Sequence, residues 1–212
     1  MGRPRGRVVR AYVGLGANVG DATATLARAV HALDRLPCCR VRGVSRLYTT
    51  TPVGVADQPD FRNAAVAIDV AVAAGASPEE AASSLLVRLK ALEHGFGRQQ
   101  RCRWGPREVD LDLLVFGRHV ICVQRPTGGR SDDPAKAGLP LTVPHAEARH
   151  RLFVLAPLCD LAPRLVPPGW GETVASAAGR QRVVEGVAAA RPIAVWDGEG
   201  WAPLDRVPAA GA

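Results

Sequence analysis

With 212 residues and a hydrophobic fraction of 47%, the chain can build one domain of ordinary size with appendages around a sizeable core. No apolar run reaches the ~20 residues of a membrane span, and the basic opening MGRPRGRVVR lacks the apolar stretch of a signal peptide, so no membrane partner is expected. The net charge of +7 fits nucleic acid, an anionic small substrate or arginine-rich codon bias; with 5% aromatics and no Arg/aromatic interleaving, nucleic acid is the weakest of the three.

The five cysteines show no CxxC spacing, and two are adjacent at 38 and 39, which suits neither a disulfide framework nor a zinc site. They are read as reduced thiols of a cytoplasmic protein.

In chain order, residues 8–15 alternate as a first strand. Asp21 caps a helix over 22–36 with Leu26, Ala29, Val30 and Leu33 as its apolar stripe. Strands follow at 41–49 and 62–71. Ser77 and Glu80 form a capping box with Pro78 at the first helical position, and the helix turns Leu85, Leu86, Leu89 and Leu92 inward. Strands at 108–116 and 119–123 are joined at Phe116-Gly117-Arg118. Pro144 and Pro157 bracket a short helical piece. This order is that of a split βαβ, an α+β ferredoxin-like sandwich with a mostly antiparallel sheet. Residues 125–139, rich in Gly, Pro, Asp and Ser, form a mobile loop insertion. The expected division is a domain over 1–170 and a C-terminal extension over 171–212, in which 193–204 make a hairpin that packs back on the domain or on a partner.

The densest chemistry lies at 103–112, RWGPREVDLD. Asp110 and Asp112 stand two apart on a strand and project to one face, about 7 Å apart along the backbone. Two carboxylates so placed call for a cation between them, and a hard divalent ion such as Mg²⁺ takes oxygen ligands beside phosphates. Arg98, Arg101, Arg103 and Arg107 precede them, so acids for a metal stand next to arginines for anions, as at a nucleoside triphosphate site. A solvated edge strand with two exposed acids is the plainer alternative.

Three other segments carry signals that are weak singly. Gly14, Gly16 and Gly20 miss the dinucleotide fingerprint by one residue and read as a tight strand-to-helix connection. Phe61 and Asn63 share a strand face, where an aromatic plane and a carboxamide can stack on a flat heterocycle and bond its edge; equally, Phe61 is core and Asn63 a turn residue. His145, in LTVPH, reads alone as a core or capping histidine.

Together GLGANVGD (14–21), TPVGVADQPDFRN (51–63), RWGPREVDLD (103–112) and LTVPH with RLFVL (141–145, 151–155) resemble, in order and spacing, the 6-hydroxymethyl-7,8-dihydropterin pyrophosphokinase family of folate biosynthesis, from about residue 9 to 167. The resemblance implies transfer of a pyrophosphoryl group from ATP to the pterin hydroxymethyl oxygen, with two Mg²⁺ ions on Asp110 and Asp112. It places Thr50, Pro52, Val53, Phe61, Asn63 and Phe153 at the pterin, with Phe61 and Phe153 on either side of the ring. It places Arg98, Arg107, His145 and Arg151 at the ATP phosphates or ribose, Glu93 near the nucleotide, and Trp104 in a loop that closes over the site. Arg98 and Arg107 are also the residues expected to act in catalysis. The segment from Gly97 to Trp104 is one residue shorter than in the best-known form of that loop. Gln100 stands where an arginine is common, leaving Arg101 or Arg103 to supply its charge. A monomer is expected, with neighbouring folate-pathway enzymes as the only protein partners to consider. Two rivals are an RNA-binding module of the same topology, which would need paired aromatics on its central strands, and a nucleotidyl transferase that releases pyrophosphate.

Overall fold

The frame is set by β1 (Arg7–Ala17), whose Val9, Ala11, Val13 and Leu15 are buried on one face while Tyr12, Gly14 and Gly16 lie half-buried on the other. The computed structural model describes residues 6–51, 58–97, 107–130 and 137–206. β1 is flanked by β4 (Phe61–Val72) and β5 (Asp110–Phe116), and the sheet runs β5-β1-β4-β3-β8-β9, with β3 at Leu47–Thr50, β8 at Arg191–Trp196 and β9 at Trp201–Pro203. Every pairing is antiparallel, and β2 (Cys39–Val44) pairs with a further stretch of β4.

Helices cover both faces. α1 (Ala22–Asp34) and α2 (Pro78–Gly95) bury Leu26, Leu33, Leu85 and Leu89 against the odd-numbered face of β1. Asp21 accepts from the Ala24 N–H, and Ser77 and Glu80 form the expected reciprocal cap. On the opposite face α3 (Leu152–Leu161) and α4 (Val174–Glu185) pack Leu155, Leu158, Val174, Ala177 and Ala178 on Leu114 and Val115. This is the α+β sandwich expected. Among the described residues no helix is long and apolar enough to cross a membrane, and Cys38, Cys39, Cys122 and Cys159 are free thiols.

Several elements depart from expectation. The strand over 41–49 is two, because Ser45 interrupts the ladder: its N–H donates to the Ala65 carbonyl at 2.9 Å and its hydroxyl accepts from the Ala65 N–H at 2.9 Å. β6 (Ile121–Val123) pairs with β7 (Leu141–Val143) in a separate two-stranded sheet rather than with β5. Pro157 does not end a helix but sits inside α3 as its sixth residue, buried, where its missing N–H forgoes one helical bond, that to the Phe153 carbonyl. Of the insertion, residues 131–136 lie outside the described residues. Thr127–Gly129 is a 3₁₀ turn with Gly129 buried, seated so close to α2 that a Cβ on Gly129 would be 3.0 Å from the Leu86 side chain. That part packs against α2.

Beyond residue 170, Thr173 caps α4 through the Ser176 N–H, and Gly186 ends it with φ of 90°. The chain then returns as the β8–β9 hairpin. β8 adds itself to the free edge of β3, and the Trp201 indole N–H donates to the Ser45 carbonyl at 2.9 Å. The hairpin turn reaches α1, where His31 Nε2 lies 2.8 Å from the Glu199 carbonyl oxygen.

Candidate active site

The site is a matter of register. Asp110 of β5 stands opposite Gly16 of β1, which stands opposite Asn63 of β4, which stands opposite Tyr48 of β3. Directly opposed residues of antiparallel neighbours point to the same face, so Asp110 and Asn63 share a face with one glycine between them. Two strand spacings separate their backbones by about 10 Å. The next row repeats the arrangement, with Asp112 opposite Gly14 and Gly14 opposite Ala65. Gly14 and Gly16 are therefore strand residues, not parts of a strand-to-helix connection; only Gly20, at φ of 59°, belongs to the turn. The Leu114 side chain leans over Gly14, 3.4 Å from where a Cβ would stand, so the bare floor is at Gly16. A Cβ on Gly16 would come within 3.2 Å of Asn63 Oδ1.

On one side of this floor Asn63 is buried and donates through Nδ2 to Thr50 Oγ1 at 2.8 Å, which leaves its Oδ1 towards Gly16. Phe61, opposite Thr50 and two residues from Asn63, shares its face and is half-buried. On the other side the two aspartates are partly exposed. Arg107 is ion-paired with Asp110, and Lys90 Nζ lies 3.9 Å from the second oxygen of the same carboxylate. Glu93, expected near the nucleotide, is fully buried; it accepts from Lys90 Nζ at 2.6 Å and from the Leu111 N–H at 2.7 Å. It thus grips the residue between the two aspartates instead of facing open space.

Two carboxylates on one strand face are hard oxygen donors, and the donor set fits a divalent cation. Among the described residues no third Asp, Glu, His or Cys joins them in a cluster. The remaining ligands of an ion would be water and phosphate oxygens, the usual state of Mg²⁺ beside a nucleotide. His145 follows the Val143–Pro144 cis bond, and its N–H donates to the Leu114 carbonyl at 2.8 Å, which ties it to the strand of the aspartates. Arg151 pairs with Glu147 at 3.2 Å and lies over the Phe153 ring, 5.8 Å from its centroid. Arg151 and Phe153 flank Leu152, the first residue of α3, and α3 packs across β4 and β3. Pro52, Val53, Arg98, Arg101, Arg103 and Trp104 lie outside the described residues.

Sequence reasoning passed over Asn18 and Lys90, and placed the two strand glycines in a connection instead of on the sheet. Asn18 is buried and its side chain is fully engaged: Nδ2 donates to Gln58 Oε1 and the Pro59 carbonyl at 3.2 and 3.1 Å, and Oδ1 accepts from the Arg107 N–H at 2.7 Å. It ties the segment before Phe61 to the residue that pairs with Asp110. Its place in GLGANVGD was visible; that one side chain spans both halves of the site was not. Lys90 had only its i,i+3 spacing from Glu93 as a signal.

Residues 12–163 match the family model described as 7,8-dihydro-6-hydroxymethylpterin-pyrophosphokinase (HPPK). The chain is 38% identical over 161 residues to a 2-amino-4-hydroxy-6-hydroxymethyldihydropteridine pyrophosphokinase of Pseudomonas aeruginosa, covering 76% of this chain and 85% of that one. It is 39% identical over 170 residues to the protein of the same name from Methylorubrum extorquens, covering 80% of this chain and 92% of the other. Among solved structures, wild-type Plasmodium falciparum HPPK-DHPS superposes with a TM-score of 0.66 at 14% identity, over 95% of this chain but 51% of that larger one, which speaks to fold alone. With a family match over most of its length and relatives at this identity, the chain belongs to the 7,8-dihydro-6-hydroxymethylpterin-pyrophosphokinase family.

Proposed function

We propose that this chain transfers pyrophosphate from ATP to 6-hydroxymethyl-7,8-dihydropterin in folate biosynthesis, releasing AMP. The observation that carries this reading to the residues is the row Asp110–Gly16–Asn63, which sets a carboxylate pair and a ring-edge amide on one face across a side-chain-free floor. The pterin edge is read by Asn63, whose Oδ1 accepts a ring N–H while Thr50 fixes the amide's orientation. Phe61 and Phe153 hold the ring plane between them. Arg107, already beside Asp110, neutralises charge on the phosphates as it shifts during transfer, and Arg98, His145 and Arg151 complete the anion-binding surface.

Asp110 and Asp112 would hold the divalent cations, two in our reading, which would supply positive charge to the phosphate oxygens. The work of the chain is to align the hydroxymethyl oxygen with the β-phosphorus, since transfers of this kind depend on positioning and charge more than on covalent chemistry. The loop 97–104, with Trp104, would be the cover that excludes water. Glu93 and Lys90 hold the aspartate strand from behind.

The test is a coupled assay of AMP release from ATP with and without the pterin. Pterin-dependent AMP release is expected. Release of pyrophosphate, as by a nucleotidyl transferase, or AMP release independent of the pterin, would overturn the reading.

A further inference from the structure

We infer that the C-terminal extension is a positioning clamp for the substrate site, acting through Glu185 on the start of α3. The inference rests on the proposed placement of Arg151 and Phe153 at the ligands. The family match ends at residue 163, so Glu185 comes from outside it. α3 begins at Leu152 without help from its own cap residue, since Arg151 makes no side-chain cap bond. The Leu152 N–H donates instead to Glu185 Oε1 at 2.9 Å, across 33 residues of sequence. The same oxygen accepts from Gln181 Nε2 at 2.7 Å, and Gln181 is buried. A carboxylate at a helix N-terminus satisfies an orphan donor and complements the dipole, as a local cap would. Here the capped residue is the one between Arg151 and Phe153, so the bond fixes where both side chains leave the backbone.

A second contact grips the opposite wall of the site. β8 pairs with β3 at Tyr48 and Thr49, next to Thr50, and Ala190 packs with Tyr48, Leu152 and Ala156 in one buried cluster. The extension therefore touches the strand that carries Thr50 and the helix start that carries Phe153. A third link holds the approach to α3: Glu172 accepts from Arg149 and Arg180, both at 3.0 Å. Glu185 touches no proposed ligand and is a positioning residue.

The test uses the full chain with Glu185→Ala and Glu185→Gln. Glutamine keeps an acceptor for the Leu152 N–H; alanine does not. Pterin affinity, measured by calorimetry well below the unfolding temperature, is expected to weaken about tenfold in Glu185→Ala and to stay within about twofold of the parent in Glu185→Gln. In steady state the KM for the pterin should rise by a larger factor in Glu185→Ala than kcat falls. An alanine variant that binds the pterin as the parent does, whatever its melting temperature, overturns the proposal, as does a glutamine variant as weak as the alanine one. If Glu185→Ala does not fold, Gln181→Ala takes its place; a several-fold weaker pterin affinity is expected, and parent-like affinity overturns the clamp. Hydrogen exchange of the Leu152 amide separates this proposal from the functional one. Exchange should speed up by about tenfold or more in Glu185→Ala even if the parent binds no pterin, which would refute the substrate and leave the clamp. Unchanged exchange overturns the clamp alone.

Discussion

Asp110 meets cations on both sides, Arg107 at one oxygen and Lys90 near the other, so its charge is compensated before any ligand arrives. Neutralising it therefore relieves little repulsion from Asp112 and forfeits those pairs. Asp110→Asn is expected to leave the fold intact, to give no gain in stability, and to lower turnover by on the order of a hundredfold or more, as loss of a charge-organising group does. Asp112→Asn should lose turnover to a similar degree. Circular dichroism and steady-state AMP release check both; near-normal turnover at ordinary Mg²⁺ would remove the aspartates from the mechanism. Phe153→Ala should weaken pterin binding by about 1–3 kcal/mol, the value of stacking on a flat ring, and ATP binding by much less. Equal loss of both ligands by calorimetry would refute the division of the site. These residues were legible because their chemistry sits in short motifs. Gly16 was not, since its part in the site depends on the strands that lie to either side of it.

At the scale of elements, α2 and β5 are joined by a buried charge. Glu93 satisfies Lys90 Nζ and the Leu111 N–H together, inside the protein. Removing the carboxylate would leave a buried ammonium short of its partner and a backbone donor bare, a change that costs about 3–5 kcal/mol. Glu93→Ala should show that loss in urea unfolding, and a change below about 1 kcal/mol would mean the pair is not what holds β5. The sequence displayed α1 and α2 plainly, because Asp21 and the Ser77–Glu80 box are local devices beside leucine stripes. It hid α4, whose buried face is Val174, Ala177, Ala178 and Gln181, too small and mixed to show a stripe, although Thr173 marked its start. It also misled on β6, since a tight turn at Gly117 points to a hairpin with β5, whereas the partner β7 lies beyond the insertion.

In the whole molecule the extension is integral to the sheet. Cutting after residue 170 would strip β8 from β3, leave a bare strand edge, and uncover Tyr48 and Leu152, both almost fully buried. A truncated chain should melt at least about 5 °C lower and bind the pterin more weakly, while still releasing AMP. An unchanged melting temperature by calorimetry would show that the added strand and helix contribute nothing. The hairpin's return was foreseeable from two tryptophans flanking a DGEG turn, which are too large to leave in water. Its landing place was not, because nothing local names β3 as the strand with a free edge.

That landing also gives the protein an optical signature. Trp196 and Trp201 meet edge to face with ring centroids 4.8 Å apart, and the Trp201 indole is fixed by its bond to the Ser45 carbonyl. Transitions of two indoles held so close and so steadily couple, and among the described tryptophans this is the one pair in ring contact, so the resulting circular-dichroism couplet belongs to it. Its loss in Trp196→Phe, with the melting temperature little changed, would assign it. Once assigned, the couplet follows the making and breaking of the β8–β9 hairpin in real time, without a label and without touching the site of reaction.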